Sequence, residues 1–490
     1  TPTIGDRTTR KPYENERPAG YPAGRKRLAN DVGQQAEEAR ALDGAGELTL
    51  LLGRDGGDAR GHDLAAFADI ALQQAGVLVV DRGRVVAPER IDLAAPYVSF
   101  GSVSFSSSEG ALEPRPGSVT GARQPGFGTS LGTQPAKTGT AQLTVNADLV
   151  DLAGSFEPLN TAIMQADNST SALTSIAGID QVRVVSRGDI RVTGDTYGSR
   201  TLELDAAQIY PVSNAKVIVE ASELVRFGRT TSYAPAPPFS VFGRLAVYGK
   251  TIEQGGIVRA PFGTLILGSP AVGRKLTGAQ QIDLLPGSIT SVSAAGLAMP
   301  YGGTVDGVTY SYNGASVSRI DVTNFGNVGH QSGVTLDGQS INVESGATLD
   351  MSGGGVLSGA AFISGRGGSV NVLNTPLINA NPATPVSKPS DKVYAILPGY
   401  ASGYAPIAPE NGAGDPAIGQ QITVPAGVPG LPAGSYTLLP SNYALLPGAY
   451  RVELGAATRT PINGAVAIGN GTYATSAYTG TSNTAIRSAL

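Results

Sequence analysis

The acidic residues are the first candidates for chemistry in this 490-residue chain, because two carboxylates in one groove can cleave polysaccharides. The aspartates instead occur singly, at the ends of short apolar runs, where Asp commonly forms turns. They are Asp189, Asp195, Asp205, Asp283, Asp321, Asp337 and Asp350. The two histidines, His62 and His330, are too few for a histidine metal site and give no Ser-His-Asp arrangement. We therefore predict no catalytic, cofactor-binding or metal-binding residue.

The tripeptide that integrins bind occurs at Arg187, Gly188 and Asp189. Binding would require an exposed, flexible loop tip. Here the tripeptide separates two β-branched runs, residues 182–185 and 190–192, so a plain Gly-Asp turn between strands is the simpler interpretation. Cell attachment is the alternative prediction for these residues.

Composition excludes several classes of partner. The net charge is −4, and no basic stripe with interleaved aromatic residues is present, so we predict no nucleic-acid partner. No apolar run approaches the roughly 18 residues that a membrane span needs. The chain has no cysteine, which excludes disulfides and thiolate metal sites and favours export.

Short β-branched runs broken by glycine dominate the chain, and residues 338–355 show the pattern best. Ile341 and Val343 lie two positions apart, as alternation along a strand requires, while Gly346 and Gly353 mark corners. One such coil cannot bury its own apolar stripe, so we predict stacking into a parallel β-helix. Units of about 20 residues would give roughly fifteen coils and a rod about 70 Å long. The alternative, a β-sandwich of hairpins, is disfavoured because two-residue hairpin turns such as Asp306-Gly307 are few.

Three regions follow from changes in composition. Residues 1–45 carry dense mixed charge and prolines and are predicted to form an irregular arm or linker. Residues 46–380 are predicted to be the β-helical shaft, interrupted by one short helix over Asp63–Ala75. Residues 381–490 are predicted to be a proline- and tyrosine-rich β subdomain, and a return of this region to the helix stays open.

The last region has features of an outgrowth from the shaft. Its frequent prolines remove hydrogen-bond donors, which suits edge strands. Tyrosine offers a large contact area at little entropic cost, so five tyrosines are predicted as subunit contacts. They are Tyr394, Tyr400, Tyr436, Tyr443 and Tyr450.

The run Leu431–Leu454, together with residues 95–102, 243–247 and 256–265, resembles the large filamentous haemagglutinin-like exoproteins of Gram-negative bacteria. The resemblance implies a right-handed β-helical shaft and export by two-partner secretion through an outer-membrane transporter. It also implies a secreted or cell-surface protein that acts in adhesion, aggregation or biofilm structure. The secretion domain of that family has no counterpart near residue 1, so we expect an internal or C-terminal portion of a longer polypeptide.

Our first functional hypothesis is a non-enzymatic structural or adhesive rod or filament. Its expected partners are the secretion transporter, surface receptors or glycans on host or bacterial cells, and further copies of the chain. The alternatives are a carbohydrate-active β-helix enzyme, either a lyase or a hydrolase, and a glycan-binding fibre.

Overall fold

The structure is a computed structural model, and it describes residues 47–51, 69–73, 77–81, 83–86, 90–101, 103–106, 111–114, 141–154, 156–158, 172–175, 179–268, 279–313, 315–316, 332–363, 371–376, 392–408, 416–455, 462, 464–469, 471–482 and 487–489. The predicted arm, residues 1–45, lies outside these ranges. The described elements are strands, apart from one 3₁₀ turn at Ser441–Leu445. Nowhere in these ranges is there a helix with the length and apolar character that crossing a membrane requires. The fold is all-β, as the sequence predicts.

The strands are numbered in chain order. The first group is β1 (Glu47–Leu51), β2 (Asp69–Gln73), β3 (Val77–Asp81), β4 (Gly83–Val86), β5 (Arg90–Ala94), β6 (Tyr97–Phe100), β7 (Val103–Ser106), β8 (Ala111–Pro114), β9 (Ala141–Ala147), β10 (Leu149–Leu152), β11 (Phe156–Pro158), β12 (Ala172–Ser175), β13 (Ile179–Ser186), β14 (Asp189–Val192), β15 (Thr196–Ala206) and β16 (Gln208–Pro211). The second group is β17 (Lys216–Arg229), β18 (Arg244–Tyr248), β19 (Thr251–Gln254), β20 (Ile257–Arg259), β21 (Thr264–Leu267), β22 (Ala279–Leu284), β23 (Ile289–Ser291), β24 (Ala298–Val305), β25 (Thr309–Tyr312), β26 (Ala315–Ser316), β27 (Gly333–Leu336), β28 (Gly338–Val343), β29 (Thr348–Asp350) and β30 (Val356–Phe362). The third group is β31 (Lys392–Ile396), β32 (Gln420–Val424), β33 (Gly434–Thr437), β34 (Leu439–Pro440), β35 (Tyr450–Leu454), β36 (Ala465–Gly469), β37 (Thr472–Thr475), β38 (Tyr478–Thr481) and β39 (Arg487–Ala489).

Two large parallel sheets form the first part of the molecule. Sheet 1 has nine strands in the order β1-β3-β6-β10-β14-β16-β20-β23-β29. Sheet 2 has fifteen strands arranged as two parallel ladders. The first ladder is β2-β5-β9-β13-β15-β17-β19-β22-β28, and the second is β4-β7-β11-β15-β17-β18-β21-β27. Strands β15 and β17 run through both ladders, which accounts for their lengths of 11 and 14 residues.

A single apolar core lies between the two sheets, and it is built from columns of residues in register on successive strands. In sheet 1 one column is Leu78, Val98, Val150, Ile190, Ile209 and Val258. In sheet 2 one column is Ile91, Leu143, Val182, Leu202, Val225, Ile252 and Ile282. Every member of both columns is at most 1% exposed, and all belong to one hydrophobic cluster. Burying each such aliphatic side chain contributes about 1.5–3 kcal/mol, so the columns hold the sheets together.

Two sequence predictions about this region need correction. The helix expected over residues 63–75 is wrong at residues 69–73, which form β2 in parallel register with β5. Ile70 and Leu72 lie two positions apart, and pairing places them beside the buried Ile91 and Leu93. The repeat of about 20 residues separates the starts of β3 and β6 and of β14 and β16, while other neighbours in sheet 1 lie up to about 60 residues apart. Among the described residues sheet 1 has nine strands, fewer than the roughly fifteen coils that the sequence predicts, because long connections intervene between them.

Antiparallel pairing characterises the C-terminal part. One sheet has the order β34-β31-β35 and another β33-β32-β38-β39. Pro440 lies in the short edge strand β34, as the sequence predicts for prolines of this region. A second apolar cluster joins this part to the parallel sheets, since it contains Val241 and Leu297 together with Ala395 and Leu439. Asp306 and Gly307 both have positive φ and lie between β24 and β25, which pair antiparallel as a hairpin.

Candidate functional site on the outer face of sheet 1

Polar residues form two columns on the face of sheet 1 that points away from the apolar core. They arise because alternate strand positions face opposite sides, and Val150 and Ile190 already face the core. The first column is Ser99, Asp151, Arg191, Tyr210, Arg259, Ser291 and Asp350. The second includes Asp189 and Gln208. Strands β10 and β16 are buried along their whole length, so other parts of the chain cover this face.

The centre of this face is a buried ion pair between Asp151 and Arg191. Arg191 Nε lies 2.5 Å from Asp151 Oδ1, and its second terminal nitrogen lies 2.5 Å from Oδ2. Both side chains are 4% exposed. Tyr97 donates a third hydrogen bond to Asp151 Oδ2 at 2.6 Å, and burial together with this carboxylate raises the pKa of Tyr97. An Asp with both oxygens held in this way is a structural anchor rather than a base for a substrate.

The same arginine attaches the C-terminal part of the chain. A terminal nitrogen of Arg191 donates to the carbonyl oxygen of Ala405 at 2.6 Å. The ring of Tyr404 lies 6.3 Å from that of Tyr97, and the Tyr400 hydroxyl donates to the Tyr404 carbonyl at 2.6 Å. We call the contact of Tyr97, Asp151 and Arg191 with Tyr404 and Ala405 the latch.

Next to the latch, a second polar group surrounds Asp189. Gln208 Nε2 lies 3.4 Å from Asp189 Oδ2, and Tyr210 also hydrogen-bonds this carboxylate. Arg259 donates to Gln208 Oε1 at 3.0 Å and to the Pro235 carbonyl at 2.6 Å. Burial raises the pKa of Asp189 to about 6, against the opposing effect of these hydrogen bonds and the arginines. Mildly acidic pH would therefore protonate the Asp189 carboxylate.

Aromatic rings contribute to the second apolar cluster, which joins the C-terminal part to the parallel sheets. Phe239 lies 5.3 Å from Tyr400 and 5.6 Å from Tyr443, measured between ring centroids. Phe242 and Phe262 both have left-handed backbone, with φ of 58° and 56°, which is rare for bulky residues. Their rings lie 5.6 Å apart. Strain at such positions persists only where packing holds it. Both rings pack against the second apolar cluster, which also contains Ala395, Leu439 and Tyr443 of the C-terminal part.

The predicted attachment tripeptide does not lie on a free loop. Gly188 donates its backbone N–H to the Asp148 carbonyl at 2.8 Å, and an added Cβ would lie 2.5 Å from that oxygen. Arg187 is exposed and pairs with Asp148, whereas Asp189 begins β14 and turns into the covered face. The two charged side chains are thus not displayed together. Integrin binding stays a prediction that this geometry does not favour.

The five tyrosines predicted as subunit contacts divide into two groups. Tyr394 and Tyr443 are 6% and 1% exposed and pack inside the chain, and their role as subunit contacts stays a prediction that this burial does not favour. Tyr400 lies beneath the latch, and burial raises its pKa. Tyr436 and Tyr450 are half-buried and stay predictions. Tyr443 and Tyr400 pack in the cluster that joins the C-terminal part to the parallel sheets, whereas Tyr394, Tyr436 and Tyr450 pack in a separate apolar cluster within the C-terminal part.

The outer face of sheet 2 carries charges that alternate along one column. Its members Arg183, Glu203, Arg226 and Glu253 are in register on β13, β15, β17 and β19. Arg226 pairs with Glu203 at 3.2 Å and with Glu253 at 2.6 Å, and both partners are partly exposed. Such solvated pairs contribute about 0–1 kcal/mol each. Arg226 thus neutralises Glu203 and Glu253. The next member of the column is Asp283 on β22, which lies opposite Glu253, is 8% exposed and accepts a hydrogen bond from Gln281 at 2.7 Å.

Two features of the structure concern the alternative of an enzyme. A groove of about 510 Å³ lies beside Arg187, and its described lining is Ala94, Ala95, Pro96, Asn146, Ala147, Val185 and Arg187. No carboxylate occurs among these residues. Within the described ranges, no cluster of three or more His, Asp or Glu side chains has the arrangement to hold a metal ion.

Sequence reasoning missed the latch. A signal for it was present, since Asp151 and Arg191 are charged residues within otherwise apolar runs, 149–152 and 190–192. A charge in a strand that is apolar on both faces indicates a buried partner. Comparison of the chain with protein-family models, curated proteins and solved structures gives no match.

Proposed function

We propose that the parallel sheets are the walls of a right-handed parallel β-helix and that the chain is a non-enzymatic, rigid shaft segment of a secreted structural or adhesive exoprotein. One observation carries the proposal. Aliphatic columns continue in register through six strands of sheet 1, from β3 to β20, and through nine strands of the first ladder of sheet 2. Coils stacked at about 4.8 Å would make a rod about 40 Å long, shorter than the sequence predicts.

The order of strands along the chain supports this reading. Strands β10, β11 and β13 lie in sheet 1, the second ladder and the first ladder, in that order, and β14 returns to sheet 1. Strands β20, β21, β22 and β23 repeat the same circuit. One circuit per coil around three walls is the arrangement of a β-helix, and it needs neither disulfide nor metal for rigidity.

The electrostatics support a structural role over carbohydrate cleavage. The buried carboxylate Asp151 is held by Arg191 and Tyr97, and the column on sheet 2 pairs Glu203 and Glu253 with Arg226. Cleavage would instead need two accessible acids roughly 5–9.5 Å apart, one of them free to exchange a proton with a sugar. The proposed setting is the surface of a Gram-negative bacterium, reached through an outer-membrane two-partner secretion transporter, with receptors or glycans on cells as partners.

The test compares adhesion by the folded chain with adhesion by a chain whose shaft is broken. Beads coated with the full chain should aggregate or attach to host or bacterial cells. Val182→Asp puts a charge in a column position that is 1% exposed and should destabilise the fold by roughly 4 kcal/mol or more, abolishing attachment. Gln181→Asp, at the exposed neighbouring position, is the matched control and should attach normally.

The same material is incubated with a panel of acidic and neutral polysaccharides. No new reducing or unsaturated ends should form. Release of such ends by the folded chain, or equal attachment by the Val182→Asp variant, would overturn the proposed function in favour of an enzyme or of an adhesive segment that does not depend on the shaft.

A further inference from the structure

The last strands of both parallel sheets expose aliphatic residues that face the core everywhere else. Ile341 and Val343 in β28 are 44% and 53% exposed, although their register partners on β22, Ile282 and Leu284, are fully buried. In sheet 1 Leu349 is 38% exposed, next to the fully buried Thr290. The exposure comes from position, since no further described strand lies above these three residues.

The backbone at this end is also unpaired on one side. Among the described strands, β28 pairs only with β22, β29 only with β23, and β27 only with β21. A row of free N–H and C=O groups beside exposed aliphatic side chains is a template for another strand. A partner strand with aliphatic residues at alternate positions would fit this end, and a parallel one would continue the pattern of both sheets.

The opposite end of the same sheets offers strands of that kind. Strand β1 ends sheet 1 and β2 ends the first ladder of sheet 2, each with one described neighbour. The column of Leu349 leads through Val258 and Val98 to Leu48. The columns of Ile341 and Val343 lead likewise to Ile70 and Leu72.

We infer that a second copy of this chain stacks head to tail on the exposed end, its β1 extending sheet 1 beside β29 and its β2 extending sheet 2 beside β28. Leu48, Ile70 and Leu72 of the second copy then continue the columns of Leu349, Ile341 and Val343. The contact joins two different surfaces without closing a ring, so repetition builds an open filament. The inference rests on the proposed function, because it treats the sheets as stacked coils.

A cysteine pair tests the geometry directly, because the chain has no native cysteine. Register partners on neighbouring strands lie about 4.8–5.5 Å apart, within the Cα distance that a disulfide spans. Full chains carrying Leu48→Cys and Leu349→Cys separately are mixed under mild oxidation. The mixture should give a crosslinked heterodimer, and neither variant alone should form one.

Three results would overturn the head-to-tail contact. A Leu349→Cys homodimer would show that like ends meet. A mixture that stays uncrosslinked and monomeric would show that a segment of the same polypeptide covers this end. A heterodimer that forms equally well with cysteine at position 468 instead of 349 would show random collision, since Ile468 is 64% exposed in the distant β36.

Sedimentation velocity over a concentration series gives an independent readout. The parent chain should form an open-ended series of species. Ile341→Lys and Val343→Lys should each raise the concentration needed for association by about tenfold or more, because each removes a buried aliphatic contact from the joint. Ile468→Lys changes an exposed isoleucine elsewhere and should associate like the parent. Unchanged association of folded Ile341→Lys would refute the joint.

The failure of this inference can be told apart from failure of the proposed function. Single particles imaged by cryo-electron microscopy as rods about 40 Å long, yet never joined end to end, would remove the filament and leave the shaft. Particles without stacked strands at about 4.8 Å spacing would remove both.

Discussion

The latch is the feature whose removal should cost the most stability for a single change at the surface of sheet 1. Arg191→Met leaves Asp151 with 4% exposure, one remaining hydrogen bond from Tyr97 and no counter-ion. Breaking a buried pair by removing one partner typically costs about 3–5 kcal/mol, because the other charge stays buried and uncompensated. The variant also loses the donor to the Ala405 carbonyl. We therefore expect a loss of about 3–5 kcal/mol in the free energy of unfolding.

Urea unfolding followed by far-UV circular dichroism measures that loss, and hydrogen exchange locates it. Residues 400–408 should exchange faster in Arg191→Met than in the parent, because the latch fixes this segment to sheet 1. Lys250→Met is the matched control, since the Lys250–Glu223 pair is 49% and 44% exposed and should contribute less than about 1 kcal/mol.

A double variant separates the cost of an orphaned charge from the value of the pair. Asp151→Leu combined with Arg191→Met removes both charges and should recover most of the lost stability, since apolar residues of similar volume often replace buried pairs at little cost. If Arg191→Met and Lys250→Met lose equally little stability, the latch is solvated and our description of a buried anchor fails.

Two further perturbations test the electrostatics and the packing. The carboxyl of Asp189 has its pKa raised to about 6 by burial, so it stabilises the fold most below the unfolded pKa near 4 and loses that contribution as pH rises through about 6. Asp189→Asn should therefore be more stable than the parent by up to about 3 kcal/mol at pH 8, and this difference in stability should vanish near pH 4. A stability difference that stays constant with pH would contradict the prediction. Gly263→Ala should cost about 1–3 kcal/mol in thermal or urea unfolding, because the new Cβ would lie 2.0 Å from the Gly243 carbonyl oxygen. Gly333→Ala has open space around it and should be neutral, so equal effects of the two changes would refute the packing argument.

The sequence predicted the strands well because the alternation of apolar and polar residues lies within each strand and is a local pattern. The spacing of Ile341 and Val343 identified β28, which the structure forms over Gly338–Val343. The same logic failed over residues 69–73, where a five-residue stretch fits either period. Pairing with β5 decides the outcome there, and pairing is not a local property.

The latch could not be predicted because its partners are set by register across long connections. Asp151 and Arg191 lie 40 positions apart, and Arg191 and Ala405 lie 214 positions apart. The connections between strands of sheet 1 vary in length, so counting residues does not reveal which strands are neighbours. Charged residues inside apolar runs nevertheless indicate that another part of the chain covers the outer face of sheet 1.

The side chains on the outer faces of sheets 1 and 2 differ because the C-terminal part packs on sheet 1. Sheet 1 has aromatic and ionic side chains on its outer face because the C-terminal part packs there, and each buried charge has a specific partner. On sheet 2 no part of the chain that the structure describes covers Arg183 and Arg226 in this way, and they stay 58% and 43% exposed in solvated pairs. A contact surface for cells or glycans must be accessible, so sheet 2 and not sheet 1 is the side of the proposed shaft on which it would lie. Arg183→Gln and Arg226→Gln should then reduce bead attachment at a cost of about 0–1 kcal/mol for each ion pair removed. Arg191→Met should instead reduce stability first.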